Sequence, residues 1–232
     1  MTKLDARPGS QRGSTLAATR IGERARQVAR ELDTVDRAVY QTIGAVRTPL
    51  LDASMARLSN AANYSRLWLG CAAVMAAIGG RQARRAALLG VVSIGLSSVI
   101  SNIVVKPLLA RARPQRDAAV VPSDRWVRMP MSSSLPSGHS ASAFAFATAV
   151  GYELPGLSIP LRVVAAAVAY SRVHTGVHYP GDTVAGSVIG ASAAQIVTRI
   201  VGDRRRESRA CPLSTDEVSR RPARPAFRRP SR

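Results

Sequence analysis

Cysteines, aromatic residues and acidic residues are all scarce in this chain, and each shortage closes off a class of protein. Only two of the 232 residues are cysteines. Cys71 lies in an apolar run and Cys211 in a polar tail, so no disulfide framework is expected. There are ten aromatics, two Trp, five Tyr and three Phe, and no nucleic-acid-binding motif accompanies them. Specific nucleic-acid recognition is therefore not expected, despite a net charge of +19 from 33 Lys and Arg against 14 Asp and Glu. The N-terminus has no compact apolar stretch followed by a cleavage site, so no removable signal peptide is expected. No internal repeat is visible.

Charge is also missing from particular places. Eleven Lys and Arg fall in residues 1–66 and eleven more from Arg199 to the end, while long stretches between them are nearly uncharged. With 46% hydrophobic residues, this is the layout of a membrane protein whose basic ends meet anionic headgroups. "AALLGVVSIGLSSVISNIVV" (86–105) has twenty residues and no charge, which suits a bilayer core of ~30 Å. "LWLGCAAVMAAIGG" (67–80) reaches full length if Asn60 to Arg66 join it with Arg66 snorkelling. "SASAFAFATAVGY" (140–152), "LSIPLRVVAAAVAYS" (157–171) and "TVAGSVIGASAAQIVT" (183–198) are shorter and rich in Ala, Gly and Ser. Gly186 and Gly190 form a G-x-x-x-G step that permits close helix packing. The expected fold is an all-α transmembrane bundle of five to six spans.

Four regions follow. Residues 1–20 read as a disordered basic N-terminus. Residues 21–59 read as amphipathic helices at the membrane interface, broken near Thr48-Pro49, with a soluble helical cap as the alternative. Residues 60–201 form the membrane domain, and 202–232 read as a disordered Arg/Pro-rich tail.

The ionisable groups gather in two links. The link between the second and third spans holds "KPLLARARP" (106–114) and "LPSGHS" (135–140); that between the fourth and fifth holds "SRVHTGVHYPGD" (171–182). In a bundle of alternating direction both links emerge on one side, so Lys106, Arg113, His139, Arg172, His178 and Asp182 can meet. Charges at membrane depth or its edge point to function. Three fixed cations would repel a metal ion, so no metal and no cofactor is expected. The same cations suit phosphate. Ser137 and Gly138 open an apolar helix whose first amides would face an anion. Asp182, four residues after His178, would fix one imidazole nitrogen and leave the other nucleophilic. His139 would then protonate the leaving oxygen.

Together, K-x6-R-P, P-S-G-H and S-R-x5-H-x3-D resemble the type 2 phosphatidic acid phosphatase superfamily over residues 60–200. The resemblance implies a helical bundle and an integral membrane lipid phosphatase that hydrolyses a phosphate monoester or pyrophosphate through a phosphohistidine. His178, His139 and Asp182 are the implied catalytic residues, with Lys106, Arg113, Ser137, Gly138 and Arg172 binding phosphate. Small bacterial members lean the substrate towards a prenyl phosphate and place the site on the extracytoplasmic face of the cell membrane. Vanadate-dependent haloperoxidases share a similar constellation, and a non-enzymatic membrane tether is a third reading. His174 is expected to be structural or headgroup-facing and Ser171 to bond locally. Arg111, Arg116, Arg125 and Arg128 are expected to be solvated loop charges, and Tyr179 and Trp126 interfacial aromatics.

Overall fold

The computed structural model describes residues 9–210, and among these every regular element is helical. In chain order they are α1 (Gly9–Ala45), α2 (Pro49–Ala61), α3 (Arg66–Ile78), α4 (Arg81–Val99), the short α5 (Lys106–Leu108), α6 (Gly138–Glu153), α7 (Pro155–His174) and α8 (Pro180–Ala210). A π-helical stretch, Ile100–Val105, joins α4 to α5. α1 begins within the segment read as disordered and α8 runs past residue 202. The rest of the Arg/Pro-rich tail lies outside the described residues. The break between α1 and α2 falls where Pro49 starts a helix and bars the preceding residue from helical geometry.

Among the described residues, three helices are long and apolar enough to cross a membrane: Arg81–Leu108, Pro155–His174 and Pro180–Gly202. Their outer faces carry Leu88, Val92, Ile103, Ile159, Val163, Val184, Val188 and Ile200, all exposed. A water-soluble bundle would present polar groups there; this one presents the surface that lipid requires. α3 and α6 have 13 and 16 residues, so three helices of full length stand where five to six spans were expected.

The shortness of α6 follows from its position. It packs against α4, α7 and α8, and Ala143, Ala145, Phe146, Ala147, Ala149 and Val150 are fully buried. Small residues let the three neighbours close around it. At Gly186 and Gly190 a Cβ would stand 2.3 Å from the carbonyl oxygen of Ser137 and 2.1 Å from that of Ala141. The G-x-x-x-G step is therefore the seam where α8 meets α6 backbone to backbone. Trp68 of α3 stacks on Phe146 with ring centroids 5.5 Å apart, closing the core on its other side.

Candidate active site

The chain reverses three times between α4 and α8, which returns the α4–α6 loop, the start of α6 and the α7–α8 turn to one end of the bundle. The turn is held by one carbonyl. Arg172 O accepts the amides of Val177 (3.0 Å) and His178 (3.1 Å), and Gly176 supplies the positive φ of 69° that the reversal needs. This fixes the distance from Arg172 to His178. α8 then starts at Pro180, a residue suited to the first helical position. Two residues later, Asp182 reaches back to accept the Tyr179 amide at 2.9 Å, as an acidic third residue does in a capping box.

Asp182 Oδ2 also accepts the Ser134 hydroxyl and lies 3.6 Å from His178 Nδ1. With Nδ1 facing a carboxylate, the hydrogen-bond network assigns the proton to Nδ1 and the lone pair to Nε2. Nε2 lies 3.2 Å from Arg113 Nη1, which also donates to Val177 O at 3.1 Å. Arg113 is further fixed by Ser132 O at 2.8 Å and Ser133 O at 3.2 Å. Burial pushes the His178 imidazole down to about 4, against the opposing pull of Asp182 and with Arg113 and Arg172 adding to the fall. At neutral pH the ring is uncharged, with its lone pair available.

Lys106 Nζ is held by Asn102 Oδ1 at 2.8 Å, four residues earlier in the π-helical stretch, a local geometry common at functional positions. Arg172 is almost fully buried, and its Nη1 donates to Ser59 Oγ of α2. Its Nε and Nη2 have no protein partner. Such groups are costly to bury unpaired, so two free donors on a guanidinium mark a place where an anion belongs. His139 shares its Nε2 with Asn63 Oδ1 at 2.9 Å.

His139, Gly138, His178, Arg113 and Lys106 line one cavity of about 570 Å³, whose rim includes Tyr64, Met129, Pro130 and Met131. Tyr64 and Ser65 at that rim adopt φ of 54° and 58°, a left-handed conformation that costs a non-glycine residue about 1–2 kcal/mol. Among the described residues, no group of three or more His, Cys, Asp and Glu converges as a metal set.

Several expectations need correction. Ser137 caps α6, but its amide is taken by Asp182 O at 2.9 Å, so the amides left to meet an anion are those that follow it. Arg111 is not a solvated loop charge; it bonds Asp182, Asp36 and Asp33. Arg125 is fully buried and pairs with Asp52 at 2.9 Å, and Arg116 donates to Val127 O at 2.7 Å. Only Arg128 of the four is exposed. Tyr179 is buried, with the Arg111 guanidinium 4.3 Å above its ring, whereas Trp126 remains partly exposed. His174 is structural: it is buried against Asp52, Nε2 to Oδ1 2.9 Å. Ser171 bonds locally to Val168 O.

Sequence reading missed Asn63, Ser59, Ser134 and Arg111. The first three carry no local signal. Arg111 did: in an extended segment it shares a side with Arg113, two residues on.

Known proteins resemble this chain in sequence and in fold. The sequence profile of the PAP2 superfamily matches residues 86–206, just over half of the chain. Decaprenylphosphoryl-5-phosphoribose phosphatase of Mycobacterium tuberculosis is 36% identical over 104 residues, 45% of this chain and 55% of that protein. Lipid A 4'-phosphatase of Bacteroides thetaiotaomicron is 31% identical over 115 residues, 46% of this chain and 51% of that protein. The chain thus spans about half the length of the curated relatives it matches. Among solved structures, Aquifex aeolicus LpxE superposes with a TM-score of 0.56 at 25% identity, covering 70% of this chain and 93% of that one. The PAP2-type phosphatidylglycerolphosphate phosphatase of Bacillus subtilis superposes at 0.60 and 23% identity, covering 75% and 87%, a likeness of fold. With residues of all three motifs lining one cavity and a profile match across most of α4 to α8, the chain belongs to the PAP2 superfamily.

Proposed function

We propose that this protein is an integral membrane lipid phosphatase that removes a terminal phosphate through a phosphohistidine, without metal. The observation that carries the reading is the buried Arg172 with two unpartnered donors, close to an uncharged His178 whose Nε2 faces the cations. Phosphate oxygens take the donors of Arg172, Arg113 and Lys106 and the first amides of α6, which stabilise the equatorial charge of in-line transfer. His178 Nε2 attacks phosphorus as the bond to the lipid oxygen breaks. His139 gives that oxygen a proton. Water then attacks the phosphohistidine, His139 takes its proton back, and inorganic phosphate leaves with His178 restored.

The apolar rim of Tyr64, Met129, Pro130 and Met131 suits a lipid chain approaching from the bilayer. A polyprenyl-linked phosphate is the substrate class to test first, as the Mycobacterium relative carries that class in its name. α3 and α6 complete five spans, α6 enclosed by its neighbours and α3 packed against α4 at the edge, and the site faces the extracytoplasmic side of the cell membrane. The basic termini meet anionic headgroups.

Purified protein supplied with a polyprenyl phosphate, phosphatidate and phosphatidylglycerol phosphate, in EDTA, should release phosphate from at least one. His178→Ala should lower turnover by about 10⁴-fold or more while keeping its helical circular dichroism. Because His178 must be uncharged to attack and His139 protonated to donate, kcat/KM should fail on the acid side near the lowered His178 value of about 4 and should decline with rising pH as His139 loses its proton. Undiminished release by the alanine variant refutes the covalent route.

A further inference from the structure

The mechanism just given makes no use of α1, yet α1 carries two carboxylates into the site. Arg111 Nη1 bonds Asp182 Oδ1 at 2.8 Å and Asp36 Oδ2 at 2.6 Å, and its Nη2 bonds Asp33 Oδ1 at 2.7 Å. Asp36 Oδ1 accepts the Gly181 amide at 2.6 Å, in the first turn of α8 beside Asp182. Below the guanidinium lies the Tyr179 ring, which Arg37 also approaches at 5.3 Å. One cation is thus shared among three carboxylates.

That sharing matters because of what Asp182 does. A carboxylate beside an imidazole supports the positive charge that grows on the ring as Nε2 bonds to phosphorus. An arginine given wholly to Asp182 would cancel that support. Asp36 and Asp33 divide the guanidinium's charge, so the four groups carry two net negative charges, reduced to one by Arg37, which pairs with Asp33 at 2.7 Å on the exposed side. Asp182 keeps its charge towards His178 and is held in place.

We propose that Arg111, Asp36 and Asp33 are positioning residues that set the charge Asp182 presents to His178, making α1 a working part of the active site. This rests on the phosphatase reading for its purpose, though the electrostatic claim can be read without turnover. α1, with Asp33 and Asp36, lies outside the region matched by the superfamily profile, residues 86–206, whereas Arg111 and Asp182 lie inside it. The other charged or titratable groups that face His178 are Arg113 and Lys106 from the α4–α6 link, His139 from α6 and Arg172 from α7. All are cations or can become so, and none lies in the Arg111 cluster. Changing the cluster therefore alters one side of the ring only.

The chain has three histidines, so ¹⁵N-histidine NMR of the full chain in detergent can follow each one, assigned with His139→Gln and His174→Gln. Asp36→Asn keeps the acceptor for the Gly181 amide and removes one negative charge. It should lower the His178 titration midpoint by about half a pH unit, a fraction of what a direct ion pair gives. Arg111→Met removes the cation and should raise the midpoint by a similar amount. Arg111→Lys should return it towards the wild-type value. In parallel assays Asp36→Asn should lower kcat about tenfold with KM unchanged, since α1 does not touch substrate.

A scaffolding role alone would cost activity without moving the midpoints in opposite directions. Midpoints that stay at the wild-type value, or that move the same way in both variants, overturn the proposal. If Arg111→Met does not fold, Asp36→Asn decides by itself. A wild-type protein with no lipid phosphatase activity refutes the proposed function instead, and the midpoints still decide the charge claim.

Discussion

The segment from α4 to α8 and the segment from α1 to Arg66 contribute to one site in different ways. The first supplies every motif residue, Lys106, Arg113, His139, Arg172, His178 and Asp182, and matches the superfamily profile. The second supplies their partners. Ser59 holds Arg172, Asn63 holds His139, and Asp36 holds the arginine behind Asp182. Asp52 pairs with Arg125 and His174, tying α2 to the α4–α6 loop and the end of α7. The motif residues thus come from the core, which also holds Lys106, Arg113 and Asp182 through Asn102, Ser132 and Ser134, and the flank adds the partners of Arg172 and His139. A side chain that must work within a fraction of an ångström needs both.

Substitutions on either side can break that division. The largest effect is expected in the core. Arg172→Met removes the buried donors and should lower kcat/KM about 10³-fold, or about 4 kcal/mol, read by phosphate release at saturating and limiting substrate. Asp52→Asn in the flank leaves Arg125 buried without its counter-ion and should cost about 3 kcal/mol of stability. Thermal unfolding in detergent should show the loss, with kcat of the folded fraction little changed. Asn63→Ala should be milder. It frees the His139 ring and should lower kcat about tenfold, or about 1.4 kcal/mol, and Asn63→Asp should recover part of the loss by favouring the protonated ring. If Asn63→Ala cost as much as Arg172→Met, the line between reacting and orienting groups would fall elsewhere.

How much of this could be read from the sequence follows the same line. The three motifs were legible because fixed spacings mark them, and the structure gathers Lys106, Arg113, His139, Arg172, His178 and Asp182 on one side of the bundle. The α6 start at Pro136-Ser137-Gly138 and the α1–α2 break at Pro49 were legible because proline and capping residues act locally. The flank's partners were not. Ser59, Asn63 and Asp36 are common residue types that meet their partners across more than 70 positions of chain, and no periodicity encodes such a meeting. Span number was half legible. Hydropathy finds helices that face lipid, whereas α6 is enclosed by protein and needs neither the length nor the hydrophobicity of a lipid-facing span.

Arg172 serves the site twice, through its guanidinium and through the carbonyl that pins Val177 and His178. The second role makes the intervening stretch a ruler. Its letters can vary wherever their side chains are not used, but adding or dropping one residue would swing the imidazole away from Arg113 and Asp182, whatever the replacement's chemistry.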